Sequence, residues 1–185
     1  MQALVDGMMG DFDDMLSGAD LVAAQANVAD TSFSAIDERD LRLISALPGV
    51  RFVDGVMMNA VMVPKQGVLI VEGMHPEGSM IRRYKLLEGR RIEAPREIML
   101  GRTAGENLDL APGESLRLLN GVYRVVGIYE TGMAWEDGGA VVGLRDAQRL
   151  FGRPRQVTFL MIDLERPADA PAMRDLIQAE FPDLN

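Results

Sequence analysis

The residue types that most often carry chemistry are scarce in this chain of 185 residues. His75 is the only histidine and there is no cysteine, which excludes thiol catalysis, disulfides and thiolate metal sites. The stretch Gly78-Ser79-Met80 does not match the Gly-x-Ser-x-Gly turn of serine hydrolases, and no Gly-x-x-x-x-Gly-Lys-Ser/Thr phosphate loop occurs. The sequence therefore predicts no catalytic residue, no metal site and no cofactor.

Carboxylates, in contrast, are plentiful. The 28 Asp and Glu outnumber the 19 Lys and Arg, for a formal net charge of −9. Such a field repels nucleic acids and anionic lipid surfaces, so we expect neither as a partner. One enzymatic alternative stays open, a carboxylate-based hydrolase, and a perturbed Asp or Glu pair in a deep pocket would support it.

The segment Glu130–Gly139, ETGMAWEDGG, contains the only tryptophan of the chain. Its glycines and its lack of alternation predict a surface loop. A large aromatic side chain gains little in water, so Trp135 is expected to pack either on the core or against a partner. We select Met133, Trp135 and Glu136 as candidate partner-contact residues.

The segments around this loop follow two hydrophobic patterns. A period of 3.6 residues predicts an amphipathic helix over 1–18, a helix at Asp37–Leu47 capped by Ser34, and a final helix at Ala172–Phe181. Apolar or alternating runs predict strands at Ala19–Gln25, Val50–Val63, Gly67–Glu72 and Gln156–Leu164. Strand, helix and strand in succession indicate an α/β layer.

The middle of the chain is predicted to be mostly β. Asn120-Gly121 is a typical two-residue hairpin turn, here between Glu114–Leu119 and Val122–Ile128. That turn predicts one buried hairpin face, and it places Arg117 opposite Arg124 on the other face. The residues predicted for the buried face are Leu116, Leu118, Tyr123 and Val125.

The order of elements from Leu87 to Gly152 is the most specific feature of the sequence. It consists of the turn Glu88-Gly89-Arg90, a strand ending at Leu100-Gly101, a small helix, Pro112-Gly113-Glu114, a strand ending at Ile128-Tyr129, the strand Ala140–Val142 and the helix Leu144–Phe151. This order of elements and the sequence of the segment resemble the extracytoplasmic domain of MacB/FtsX-type ABC transporter permeases.

The resemblance implies an α+β fold made of two subdomains. Residues 19–87 and 153–185 would form a porter-like α/β subdomain, and residues 88–152 an inserted, β-rich, Sabre-like subdomain. Residues 1–18 would be a helix that continues outward from a membrane helix. Lipoprotein-releasing relatives carry a long hook where this chain has the two residues Asn120-Gly121, which argues against a lipoprotein-chaperone role and leaves MacB-like export or the role of an uncharacterised relative.

The resemblance also implies a function without catalysis. The domain would be the extracytoplasmic, or periplasmic, part of a bacterial inner-membrane permease that couples ATP-driven movement of membrane helices to export or to a periplasmic partner. Its expected partners are an ABC ATPase domain or subunit, reached through membrane helices that this chain does not contain, a periplasmic adaptor or substrate, and a second copy in a homodimer. The alternative is a free-standing extracytoplasmic ligand- or protein-binding module.

Overall fold

The structure is a computed structural model, and it describes residues 19–28 and 34–185. The helix predicted over 1–18 lies outside the described residues. Two compact units are distinguished by their internal contacts. The first is Met1–Gly55 with Thr158–Asn185, described from residue 19 onward apart from 29–33, and the second is Val56–Val157.

Both units contain helices and strands. The strands are β1 (Leu21–Ala24), β2 (Ile36–Asp37), β3 (Val50–Val63), β4 (Gly67–Met74), β5 (Lys85–Gly89), β6 (Glu97–Gly101), β7 (Ser115–Leu118), β8 (Gly121–Glu130), β9 (Ala140–Gly143), β10 (Gln156–Val157) and β11 (Phe159–Leu164). The α-helices are α1 (Glu38–Ser45), α2 (Ser79–Arg83), α3 (Arg102–Leu108), α4 (Ala134–Asp137), α5 (Leu144–Leu150) and α6 (Ala170–Glu180). A short 3-10 helix, Pro167–Asp169, precedes α6.

In the first unit, β11 lies between β1 and β3. β1 pairs with β11 antiparallel, with Leu21 opposite Ile162. β11 is apolar along nearly its whole length, as expected for a central strand. The amphipathic pattern of α6 buries Met173 and Ile177.

Helix α1 begins one residue after the predicted start, but its N-cap lies three residues after the predicted one. Asp37, rather than Ser34, is the N-cap, and its carboxylate accepts a hydrogen bond of 2.7 Å from the backbone N–H of Arg39. The Ser34 hydroxyl instead accepts one from the backbone N–H of Gln25 at 2.9 Å. Asp and Ser are both strong caps, so the spacing alone did not decide between them.

The second unit contains a mixed sheet in the order β3-β4-β9-β6-β8-β5, with β7 also paired to β8. β4 with β9 and β6 with β8 are parallel, and the other neighbouring pairs with a defined register in this unit are antiparallel. Side chains of one face form the main core together with α3 and α5. Gly73 of β4 lets Ala147 of α5 approach so closely that a Cβ at position 73 would collide with it.

The β7–β8 hairpin forms, but its register differs from the prediction by two residues. The turn is Leu119-Asn120, and Leu118 pairs with Gly121. Because side chains alternate with a period of two, this shift leaves the predicted face in place, and the residues confirmed as buried are Leu116, Leu118, Tyr123 and Val125. The pairing of Arg117 with Arg124 was wrong: Arg117 lies opposite Val122, and Arg124 opposite Ser115.

Mixed sheets flanked by helices confirm the predicted α+β class. The contact-based units divide at residues 55/56 and 157/158, whereas the sequence predicted boundaries at 87/88 and 152/153. The division of this chain into porter-like and Sabre-like subdomains stays a prediction. Among the described residues, no helix combines the length and the apolar character that crossing a bilayer requires.

Candidate functional site

The segment Glu130–Gly139 contains the candidate contact residues, and it is more ordered than the predicted loop. Its centre forms the four-residue helix α4, which closes with a hydrogen bond of 2.9 Å from the Asp137 N–H to the Met133 carbonyl. The Asp137 carboxylate accepts a hydrogen bond of 2.7 Å from the backbone N–H of Thr131. We call Glu130–Gly139 the α4 segment below.

Hydrogen bonds from neighbouring strands and from the β3–β4 turn hold the α4 segment on the sheet. The Tyr129 hydroxyl donates to the Glu136 carbonyl at 2.9 Å, and Gly101 N–H donates to the Gly139 carbonyl at 2.9 Å. The Gln66 side-chain amide donates to the Gly138 carbonyl at 2.6 Å. A Cβ at Gly101 would collide with the Asp137 and Glu136 carbonyls, so only glycine permits this approach.

The three candidate contact residues have different environments. Met133 and Trp135 are half-buried, whereas Glu136 is only 3% exposed. The Trp135 indole N–H is buried and finds no acceptor among residues 19–28 and 34–185. Met133 and Trp135 therefore keep part of their surface available, while the Glu136 carboxylate points into the unit.

Inside the unit, Glu136 belongs to a cluster that the sequence did not predict. The Tyr84 hydroxyl oxygen lies 3.2 Å from Glu136 Oε1 and 2.9 Å from Glu72 Oε2. Glu72 is 2% exposed and Tyr84 is 3% exposed. The ring of Tyr129 packs on that of Tyr84, with 4.7 Å between ring centroids. We call Glu72, Tyr84, Tyr129 and Glu136 the Glu–Tyr cluster.

Burial dominates the electrostatics of the Glu–Tyr cluster. Burial, followed by the nearby charge of Glu136, raises the pKa of Glu72 to about 8, and the hydrogen bond from Tyr84 opposes the rise. Burial also raises the pKa of Glu136, against the hydrogen bonds from Thr131 and Tyr84. The pKa values of the Tyr84 and Tyr129 phenols are raised by burial and by the neighbouring carboxylates, so both phenols stay neutral at physiological pH.

The Glu–Tyr cluster bears on the hydrolase alternative, because it contains the perturbed acidic pair that this alternative requires. A general acid or base must reach a proton of its substrate within hydrogen-bond distance. Glu72 and Glu136 are covered, and each already contacts the Tyr84 hydroxyl. This arrangement suits an internal polar contact better than a catalytic one.

The other candidates for chemistry lie apart from the α4 segment. His75 is exposed, and its Nδ1 accepts a hydrogen bond of 3.3 Å from the Glu77 N–H. In the part of the chain that the structure describes, no three His, Asp or Glu side chains are grouped as metal ligands.

One sequence signal would have pointed to the Glu–Tyr cluster. Glu72 follows four apolar residues, Val68–Val71, within a strand that is buried toward its end. A carboxylate there must find a polar partner inside the protein. Its partners Tyr84 and Glu136 are 12 and 64 positions farther along the chain, so the spacing could not identify them.

A family model and two solved structures all relate this chain to extracytoplasmic domains of ABC transporters. The model of the MacB-like periplasmic core domain family matches residues 1–180. The periplasmic region of MacB from Actinobacillus actinomycetemcomitans has a similar structure, with a TM-score of 0.69 and 10% identity, over 92% of this chain and 90% of that one. The extracellular domain of the noncanonic ABC-type transporter YknZ from Gram-positive bacteria also matches, with a TM-score of 0.69 and 12% identity, over 89% of this chain and 97% of that one. A comparison with curated protein sequences gave no match.

Proposed function

This chain belongs to the family of MacB-like periplasmic core domains of ABC transporters, and we propose that it couples ATP-driven movement of membrane helices to export or to a periplasmic partner. The observation that carries the proposal is the family match, which runs without interruption over residues 1–180 of 185. The two solved structures support the fold, since both cover about nine-tenths of the chain.

In this function the domain itself performs no reaction. ATP would be hydrolysed by an ABC ATPase domain or subunit on the cytoplasmic side, and membrane helices would transmit the movement to this domain. A homodimeric transporter would place two copies side by side, with an adaptor or the transported substrate as the extracytoplasmic partner. The purified domain is accordingly expected not to hydrolyse ATP, esters or peptides.

The full-length gene product provides the first test. We expect it to carry hydrophobic segments beside this domain and to form, with an ABC ATPase in the same chain or a second one, a membrane complex whose ATP hydrolysis is blocked by vanadate. A full-length product without membrane segments, secreted on its own, would contradict the proposal and favour a free-standing binding module.

Within that function, the α4 segment is the surface that we propose for the partner contact, with Met133 and Trp135 as the touching residues. Both are half-buried, and the Trp135 N–H lacks an acceptor among the described residues. An unpaired buried donor costs about 1–3 kcal/mol, and a shift of the Trp135 side chain on binding would let a partner's carbonyl oxygen remove that cost. Glu136 would act from inside, by holding α4 in place through Tyr84.

Substitution of Trp135 tests this surface. In the full-length transporter, Trp135→Ala should impair complex formation or transport while the domain's free energy of unfolding stays near wild type. Trp135→Phe, which loses the N–H and part of the ring but keeps an aromatic side chain, should have a smaller effect. Leu119→Ser is the matched control, because Leu119 is a 59% exposed apolar residue elsewhere in the second unit. A loss of about 3 kcal/mol or more in Trp135→Ala would instead assign the side chain to the core.

A further inference from the structure

The Glu–Tyr cluster places two buried carboxyl groups on one phenol oxygen. Tyr84 Oη lies 2.9 Å from Glu72 Oε2 and 3.2 Å from Glu136 Oε1, and both distances are within hydrogen-bond range. The three side chains come from β4, from the residue after α2 and from α4. The contact therefore joins the α4 segment to the sheet through side chains alone.

The number of hydrogens constrains the charge of this contact. A neutral phenol has one hydrogen, and an ionised carboxylate can only accept. If both glutamates were ionised, one hydrogen would serve two buried anions, and burial strongly disfavours that state. Two complete hydrogen bonds require a second hydrogen, which only a carboxyl group can supply.

Among residues 19–28 and 34–185, the groups that act on the two glutamates provide no compensating positive charge. Glu72 is acted on by Glu136 and Tyr84, and Glu136 by Thr131, Tyr84 and Asp137. Tyr129, which packs on Tyr84 from β8, faces the carboxylates of Glu72, Glu136 and Asp137. Every one of these groups is either neutral or acidic, so a proton is the cation that best balances the pair.

We propose that Glu72, Tyr84 and Glu136 form a proton-binding site that locks the α4 segment onto the sheet and releases it when the proton is lost. In the locked state, the Glu72 carboxyl donates its hydrogen to Tyr84 Oη, and the Tyr84 hydroxyl donates to Glu136 Oε1. On release, the Glu72 proton passes to solvent, no covalent bond changes, and two anions remain beside one phenol. Their repulsion pushes Glu136, and with it α4, away from β4.

The raised pKa of Glu72 supports the assignment of the proton to this site. The pKa of Glu72, at about 8, places the loss of the proton just above neutral pH, whereas an exposed glutamate loses it near 4.5. The site would thus be occupied at neutral pH and emptied under mildly alkaline conditions. The hydrogen bonds that hold α4 itself, from the Tyr129 hydroxyl to the Glu136 carbonyl and from the Gln66 amide to the Gly138 carbonyl, are uncharged and do not compensate the loss. The ion pairs of Lys85 and Arg102 hold Glu130, at the start of the segment.

The only tryptophan lies on α4 and gives the site a built-in probe. We would titrate the 185-residue chain from pH 6 to 9.5, excite Trp135 at a wavelength where tyrosines absorb little, and follow the position of its emission. The expected result is one reversible red shift with a midpoint between pH 7 and 9. Carbon-13 NMR of the glutamate carboxyl groups, on the same samples, should show one buried carboxyl titrating over the same range.

Two variants make the result specific. Glu72→Gln keeps the size of the side chain and can never ionise, so its emission should stay constant from pH 6 to 9.5. Glu88→Gln, at an exposed position of β5, should keep the wild-type transition. A wild-type chain without a transition, a transition that persists in Glu72→Gln, or carboxyl resonances that all titrate below pH 6 would each overturn the proposal. If Glu72→Gln fails to fold, the NMR titration of the wild-type chain decides alone.

Discussion

Glu97 and Glu72 are both buried, but the pKa values of the two side chains are shifted in opposite directions. Glu97 accepts a bidentate pair of bonds from Arg90, at 2.5 and 2.8 Å, and two more from the backbone N–H groups of Glu93 and Ala94. The Arg90 hydrogen bonds lower the pKa of Glu97 to about 2. Glu72 has a phenol and a second acid instead, and its pKa rises. The identity of the partner therefore decides the sign of each shift.

Glu97→Gln should lower the free energy of unfolding at pH 7 by about 2 kcal/mol, as expected when hydrogen bonds to a charged group are lost. Because the folded-state pKa is depressed, the stabilisation is present above about pH 4.5 and is lost as the pH falls toward 2. Urea unfolding of both proteins at pH 7, 5 and 3.5 measures it. A difference that does not shrink between pH 5 and 3.5 would show that the effect is not ionic.

Glu72→Gln should change the pH dependence of stability with the opposite sign. The folded-state pKa lies above the unfolded value, so the stabilisation associated with the protonated carboxyl is fully present below about pH 4.5 and is lost as the pH rises to about 8. The slope is at most about 1.4 kcal/mol per pH unit for one proton. Urea unfolding of wild type and variant at pH 6, 7 and 8 should show the wild-type free energy of unfolding falling steadily relative to that of the variant, and a difference that stays constant with pH would refute the prediction.

At the scale of elements, the β7–β8 hairpin shows what the sequence can and cannot decide. The alternation of apolar residues identified the buried face correctly, because any shift by an even number of residues preserves it. The turn depends on local detail. Positive φ falls on Leu119, at 47°, and Gly121 instead leaves room for the Tyr123 ring, since a Cβ there would lie 2.7 Å from Tyr123 Cε2.

Gly121→Asn distinguishes the two explanations for that glycine. Asparagine tolerates positive φ, so a turn at Asn120-Gly121 would accept it with little cost. The observed packing predicts a loss of about 1–3 kcal/mol, because the new side chain would displace Tyr123 from the core. Thermal unfolding of Gly121→Asn against wild type gives the answer, and an unchanged midpoint would favour the turn predicted from the sequence.

Leu119→Asn is the complementary change in the same turn. Leu119 is 59% exposed, and its backbone has a positive φ. This left-handed conformation costs a residue other than glycine about 1 kcal/mol. Asparagine adopts this conformation more readily, so the variant should be more stable by about 0.5–1 kcal/mol. A destabilised variant would mean that the exposed leucine makes apolar contacts that outweigh the backbone effect.

Short elements and contacts between residues far apart in the chain could not be predicted from the sequence, for physical reasons. The helix α4 has four residues, too few for a periodic pattern, and it is held by Tyr129, Gln66 and Gly101 from other elements. The Glu–Tyr cluster joins three elements whose spacing carries no motif. Local patterns, by contrast, were sufficient for the long strands β3 and β4 and for α6.

At the level of the whole molecule, family membership is the observation that supports the proposed function. Residues 1–180 match the MacB-like periplasmic core domains, and this fold is shared at 10–12% identity with the MacB and YknZ domains. At such identity the fold persists while individual contacts change, so a proton-binding cluster is a property to be tested in this chain itself. The proposed coupling to ATP hydrolysis would be a property of the assembled transporter and must be measured there.

The central claim, that this domain moves with the ATPase cycle, can be tested with spin labels. The chain has no cysteine, so a single cysteine at exposed Asn107 on α3 or at exposed Arg174 on α6 gives one label site per protomer once any cysteine elsewhere in the full-length transporter is replaced. Electron–electron distances between the protomers would be measured in membranes, without nucleotide and with ATP under conditions that block hydrolysis. We predict that the distance distribution changes at one or both sites, and identical distributions at both sites in an ATP-hydrolysing transporter would contradict the account.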